Sequence, residues 1–254
     1  MTIPSWLDPT TEIKSNSQPE AYKKLDDITK SVVFILTSYK ALRKCSPALT
    51  TQQIFWIIGN SVSETGWGRL WNGYNFGGWK INKSFAESYK KRFNKGAPWW
   101  QAAGHVASGD EPVVYYRGFN EPSEFYSEWV KRFIPSVANL TEKRYNKTGE
   151  AFWKPDSSWF KELCLAGYKG PVTQANPDKS IDSWEKVVSR CQALVAQHLL
   201  GIKVDGAWGP KSSTACLAFQ TGYNITKDGK PNFETLSLLI KQWEDKGSIL
   251  VVSL

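Results

Sequence analysis

The chain has 254 residues, 41% of them hydrophobic and 22% charged; these values sit near the globular average and exclude a mostly disordered or fibrous protein. No run approaches the ~18 apolar residues a membrane span needs, and the longest apolar patch, Ile54–Ile58, is core-sized. The net charge of +8 is uneven: residues 1–175 hold 23 Lys+Arg against 16 Asp+Glu, and residues 176–254 hold 9 against 8. The basic field therefore belongs to the front of the chain and suits a polyanionic partner, whether nucleic acid, a membrane surface or an anionic cell wall.

Thirteen tryptophans fit either a large aromatic core or a groove that stacks flat rings such as sugars or bases. Cys45, Cys164, Cys191 and Cys216 show no C-x-x-C spacing, and His105 and His198 stand far from any ligand-like cluster. Zinc and His-dependent nucleophilic chemistry are thus not expected, no cofactor is implied, and the thiols read as buried and reduced.

Residues 1–17 are polar and read as a loose tail, without the basic start and apolar run of a secretory signal. Ile28, Val32, Ile35 and Leu36 recur at helical spacing and predict a helix from about Pro19 to Lys44. Thr50 and Thr51 offer N-caps for a second helix to Glu64, apolar nearly all round and so central, ended by Gly66 and Gly68. From Gly73 to Phe119 the period fades, and Val113–Arg117 reads as a short strand. Phe125, Trp129 and Phe133 predict a helix from Glu121 that closes at Pro135. Proline and glycine break residues 153–182, and a domain boundary is expected there, with 176–182 as linker between domains at 18–175 and 183–254. The last part opens with a helix from Ser183 to about Leu200. It then repeats itself: Val204-Asp-Gly-Ala-Trp-Gly-Pro-Lys211 is echoed by Lys227-Asp-Gly-Lys-Pro-Asn-Phe233. Each copy reads as an Asp-Gly turn followed by a capped helix.

Glu64 is the first candidate for chemistry. It closes the buried helix within Ser61-Val-Ser-Glu-Thr-Gly-Trp-Gly68, facing the negative end of the helix dipole. Trp56, Trp67 and Trp71 lie close in sequence and are expected to strip water from it. Both effects favour the protonated form that a general acid needs. Asn75-Phe-Gly-Gly-Trp-Lys80 adds a glycine-rich loop with two aromatic faces and an amide, suited to a sugar ring, and Tyr115-Tyr-Arg-Gly-Phe119 adds an aromatic and cationic edge.

These segments, together with Ala166-Gly-Tyr-Lys, span about residues 50–172 and resemble the lysozyme-like peptidoglycan hydrolases of glycoside hydrolase family 73. The resemblance implies a mainly α fold with a small β-lobe, a lysozyme-like α+β catalytic domain. It makes Glu64 the general acid and sets Tyr168 near the cleavage site, with Trp67, Asn75, Phe76, Trp79, Tyr116 and Arg117 as sugar contacts. Where the family usually reads Phe-Gly-Ile-Lys, this chain has Phe76-Gly-Gly-Trp-Lys80. The stretch matching the family's second carboxylate, Trp99–His105, contains no acid, so Asp110 and Glu111 are the nearest candidates, with Asp110 as the base. Inversion or assistance by the substrate's own acetamido group is then expected.

Residues 183–242 resemble the peptidoglycan-binding domain 1 family through Asp205-Gly-Ala-Trp-Gly-Pro-Lys211 with Thr214, Ala215, Phe219 and Gln220. This implies a small three-helix wall anchor using Asp205, Trp208 and Lys211, which tethers the front domain to its substrate. Trp208 reads equally as a stacking ring or a core plug, and Pro231-Asn232-Phe233 departs from the usual second repeat. The expectation is a modular, monomeric glycosidase of bacterial peptidoglycan, made in a host cytoplasm and resembling a phage endolysin, with glucosaminidase and muramidase specificity both open. The basic run Lys80, Lys83, Lys90, Lys91, Arg92 and Lys95 is a candidate contact for anionic envelope polymers or lipids. The specific motifs argue against nucleic acid. The competing class is a non-catalytic wall-binding or virion structural protein.

Overall fold

A computed structural model describes residues 20–70, 74–77, 79–81, 99–101, 115–117, 119, 121–145, 160–161, 164–165 and 177–247. The N-terminal tail, Trp71, the lysines from Lys83 to Lys95, Asp110, Glu111 and Tyr168 lie outside the described residues.

The fold is mainly helical. After α1 (Glu20–Lys23), α2 runs over Asp27–Cys45, started by Asp26, whose carboxylate accepts from the Ile28 and Thr29 amides. Those bonds hold the Asp26 carboxyl below its usual range, the Thr29 hydroxyl contributing most. The single helix expected from Pro19 is thus split, because this cap interrupts it. Helix α3 (Thr51–Glu64) opens on a reciprocal capping box: Thr50 accepts from the Gln53 amide while the Gln53 side chain accepts from the Thr50 amide. Ile54, Phe55, Trp56, Ile57, Ile58 and Val62 are all buried, so α3 is the central helix that its all-round apolarity predicts.

Three short strands, β1 (Lys80–Ile81), β2 (Trp99–Gln101) and β3 (Tyr115–Arg117), form an antiparallel sheet in the order β1-β3-β2. Tyr116 pairs with Lys80 on one side and Trp100 on the other. Helix α4 spans Pro122–Tyr145 and packs on α2. It runs through Pro135, where a stop was expected; a proline inside a helix removes one hydrogen bond and does not by itself end the helix.

Helix α5 (Pro177–Leu199) brings the second correction. It opens on a proline, which suits a first helical position, and residues 177–182, expected as linker, are its first turns. It packs against both α3 and α2. Trp184 donates from Nε1 to the Trp56 carbonyl at 3.2 Å, and its ring lies 4.2 Å from that of Phe160. Gly59 permits the crossing: a Cβ there would stand 2.8 Å from Trp184 Nε1 and 3.1 Å from Val188 Cγ2.

Helices α6 (Pro210–Gly222) and α7 (Phe233–Asp245) follow. Helix α7 reaches back to the front of the chain, with Ser237 Oγ donating to Thr51 Oγ1 at 2.7 Å and Lys40 lying over the Trp243 ring at 5.1 Å. One buried apolar cluster runs from Tyr22 to Trp243. The last helices are therefore docked on the first ones rather than hung from a tether. Among the described residues no helix is long and apolar enough to cross a membrane.

Candidate functional site

The end of α3 is held by side chains from α1, from α2 and from the cap residue of α3 itself. Gly66 takes a left-handed conformation (φ 54°), and the Trp67 amide returns to the Val62 carbonyl at 2.8 Å, a helix stop built on glycine. The chain then stays left-handed for two more residues, Trp67 (φ 63°) and Gly68 (φ 77°). A tryptophan there costs on the order of 1 kcal/mol or more.

Surrounding groups hold this shape. Thr65 Oγ1 donates to the Ser61 carbonyl at 2.7 Å and accepts from the Gly68 amide at 3.0 Å. Tyr22, from α1, donates to the Gly68 carbonyl at 2.6 Å, and the Ser31 hydroxyl, from α2, reaches the Trp67 carbonyl at 3.1 Å. Arg69 Nε donates to the Gly66 carbonyl at 2.7 Å, and its guanidinium pairs with Asp27 at 3.2 Å. Gly68 is irreplaceable on space alone: a Cβ would stand 2.6 Å from both Phe34 Cβ and the Tyr22 hydroxyl.

Glu64 closes α3 just before this turn, and its side chain is exposed. The expected tryptophan shield needs correction. Trp56 turns into the core, 4% exposed and stacked on Phe160. Trp67 is half-buried, with the Arg190 guanidinium 4.9 Å from its ring centre. Helix periodicity indicates that Trp56 is apolar and inside, and the ring's direction follows from what α5 packs against it.

The expected sugar contacts divide. Asn75 is buried and braces its own loop: Nδ2 donates to the Trp79 carbonyl and Oδ1 accepts from the Trp79 amide, both at 2.9 Å. Phe76 is 2% exposed and wedged among Phe34, Tyr74, Phe125 and Tyr126. Neither presents a face to a ligand, because both build the loop that they were expected to line. Burial also pushes the neighbouring Tyr74 phenol up to about 12. Trp79 is half-buried against Phe119, Phe125 and Phe133, with Arg132 over its ring at 5.6 Å. The backbones of Tyr116 and Arg117 form β3 beside β1, so the Asn75–Lys80 loop and the aromatic-Arg strand come together.

In the C-terminal helices a glutamine clasp appears twice, offset by 23 residues. Gln197 Nε2 donates to Asp205 Oδ1 (3.0 Å), the Ala207 carbonyl (2.8 Å) and Ser212 Oγ (3.1 Å), while Oε1 accepts from the Gly206 amide (2.9 Å). Gln220 does the same with Asp228 (2.8 Å), the Lys230 carbonyl (3.0 Å), Thr235 Oγ1 (2.9 Å) and the Gly229 amide (2.8 Å). Gln197 was missed in the sequence, although its distance to Asp205 equals that from Gln220 to Asp228 and would have marked it.

Asp205 was expected to touch the wall. Its Oδ1 instead closes its own turn through the Ala207 amide at 2.9 Å and accepts from Gln197, which together hold its carboxyl below the usual range. Trp208 Nε1 donates to the Gly229 carbonyl at 3.0 Å, and the residue lines an open groove of about 610 Å³ along α5 with Lys186, Ser189, Arg190 and Gly206. Lys211 is exposed in the first turn of α6. Arg190 carried no motif and was not foreseen.

No family model, curated protein or solved structure matches this chain.

Proposed function

We propose that the chain is a peptidoglycan hydrolase of the endolysin type. It cleaves β-1,4 glycosidic bonds of the glycan strand with N-acetylglucosaminidase-like specificity, from a lysozyme-like domain to which a wall-binding unit is docked. Glu64 protonates the glycosidic oxygen. Asp110, one of the two acids nearest the stretch where the family carries its second carboxylate, is the candidate base, and the resemblance sets Tyr168 by the scissile bond. The chain works without a cofactor, as a monomer, on bacterial walls whose anionic polymers or lipids attract its basic front. It reaches them through a holin-type lesion or on a virion.

The observation that carries this reading is the run of three left-handed residues directly after Glu64, with a tryptophan at its centre and hydroxyl contacts from α1 and α2. Backbone strain of this kind persists where the surroundings over-determine it, typically where the direction of a side chain matters. The test is loss of turbidity of purified walls. Glu64→Gln is expected to lower the rate by about 10²–10⁴, the range for a lost general acid. Undiminished clearing by this variant would sink the assignment. Borohydride reduction of the digest followed by mass spectrometry decides between glucosaminidase and muramidase cleavage. Loss of activity in Asp110→Asn matching that in Glu64→Gln supports the pair.

The exposure of Glu64 favours a second reading, a non-catalytic wall-binding or virion structural protein. On that reading parent and Glu64→Gln bind walls alike and neither clears them.

A further inference from the structure

The two glutamine clasps allow an internal comparison, because the offset of 23 residues pairs each position of the first repeat with one of the second. The residues that hold the turns agree: Gln197 with Gln220, Asp205 with Asp228, Gly206 with Gly229, and Ser212 with Thr235. Of the groove residues, Ser189 and Gly206 recur as Ser212 and Gly229, but two do not. Arg190 stands where the second repeat has Ser213, and Trp208 where it has Pro231. What is shared builds the turns; of the two residues confined to one copy, Trp208 also ties its turn to the Gly229 carbonyl, and Arg190 has no counterpart in the second turn.

The groove also has an ordered charge pattern. Asp182, Glu185, Lys186 and Arg190 line it from one face of α5, and all four are exposed. Among the described residues no ion pair joins any of them to another residue. At 1.5 Å of rise per residue, the carboxylates at 182 and 185 lie roughly 8–12 Å along the axis from Arg190. An extended peptide of about three residues covers that span at roughly 3.3 Å each. Gly206 gives Arg190 its path: a Cβ there would stand 3.2 Å from Arg190 Nε, and the guanidinium continues to the Trp67 ring. Trp67 is three residues from Glu64.

We propose that this groove binds the zwitterionic peptide branch of the wall polymer, with its carboxylate on Arg190, its free amine toward Asp182 and Glu185, and its backbone along Trp208. The site lies beside the Glu64 turn, so a strand held by its peptide is presented to that turn. The proposal rests on the hydrolase reading for its choice of polymer, and its test is independent of hydrolysis.

The probe is the N-acetylated tripeptide L-Ala-γ-D-Glu-L-Lys, titrated into the full-length chain by calorimetry and two-dimensional NMR. Binding is expected, with shifts at Arg190 and the Trp208 indole. Arg190→Ala is expected to weaken it about tenfold or more, as loss of a charge-assisted bond does. Glu185→Lys is expected to weaken it for the peptide with a free lysine amine and not for the same peptide acetylated there. Because Arg190→Ala also loses the Trp67 contact, Ser189→Trp serves as a second variant that fills the groove from an exposed position. It too is expected to abolish binding, at an unchanged unfolding midpoint. Absence of binding, affinity unchanged when the peptide's carboxylates are amidated or its lysine amine is acetylated, or binding of chitotetraose at these residues instead would each overturn the proposal. A chain that binds the peptide but clears no walls upholds the groove and ends the hydrolase reading; one that clears walls but binds no peptide does the reverse.

Discussion

Helices α3, α5 and α6 stop in the same manner. In each, one left-handed residue (Gly66, Gly201 or Asn224) lets the next amide return to a carbonyl five residues back, on Val62, Gln197 or Gln220. After α5 and α6 the chain at once resumes ordinary backbone angles, and a glutamine side chain then organises the loop. After α3 it stays left-handed through Trp67 and Gly68 and is held from outside by Tyr22 and Ser31. A device used twice in one small unit is a way of folding. A strained device found once among the described residues, next to a carboxylate, calls for a local reason.

The strongest way to break this comparison is to add one methyl group in each place. Gly68→Ala puts a Cβ 2.6 Å from Phe34 Cβ and the Tyr22 hydroxyl at a φ of 77°, and overpacking plus strain are expected to cost about 3 kcal/mol or more. Gly201→Ala has a similar φ of 68° and nothing within 4 Å, so only the conformational cost of about 1–2 kcal/mol remains. Urea unfolding measures both. Equal losses would mean that the Gly68 turn is no more constrained than an ordinary helix stop.

The clasps come next. Gln197 and Gln220 are 1% and 0% exposed, and each makes four or more hydrogen bonds. Replacing either by leucine leaves a carbonyl and a glycine amide, half-buried at Gly206 and buried at Gly229, without partners, at about 1–3 kcal/mol. The two variants are expected to agree within about 0.5 kcal/mol if the repeats are equivalent structures, the accuracy to which independent sites usually compare. A much smaller loss at Gln220 would show that the second copy has decayed, as Pro231-Asn232-Phe233 alone suggested.

How far the sequence carried these conclusions depends on the range of each interaction. The start and stop of α3 were legible, because Thr50, Gln53, Gly66 and Gly68 act within one turn of the residues they control. The repeat was legible for the same reason. The burial of Phe76 and Asn75 was not, since a glycine-rich aromatic loop looks alike whether its rings face a ligand or the interior. The docking of α5 was not either: Gly59 and Trp184 are 125 residues apart, and nothing local marks them as neighbours. Arg190 escaped notice because only the fold brings it to Trp67.

Acid gives the mildest comparison, and it acts on the clasped unit. Burial lowers His198 from 6.5, and hydrogen bonds lower Asp205 from 3.8; at Asp228 the bonds from Lys230, Gln220 and Asn232 together outweigh the opposing effect of burial. All three bind a proton more readily when unfolded, so each contributes stability that is fully present above its unfolded value and is lost as pH falls through its folded one. Stability should therefore decline first below about pH 6.5, from His198, and again below about pH 4, from these two aspartates together with Asp26, the cap of α2. Glu244, raised by burial, opposes the second step. His198→Gln is expected to flatten the first decline and leave the second. Gln197→Leu should reduce the Asp205 part of the second without erasing it, because the largest cause of that shift, the Ala207 amide, remains in place. Unfolding midpoints taken from about pH 7 down to about pH 3 measure both steps. If His198→Gln left the first decline intact, the group that titrates there would have to be sought elsewhere in the chain, and only the aspartate step would remain assigned to the clasped unit.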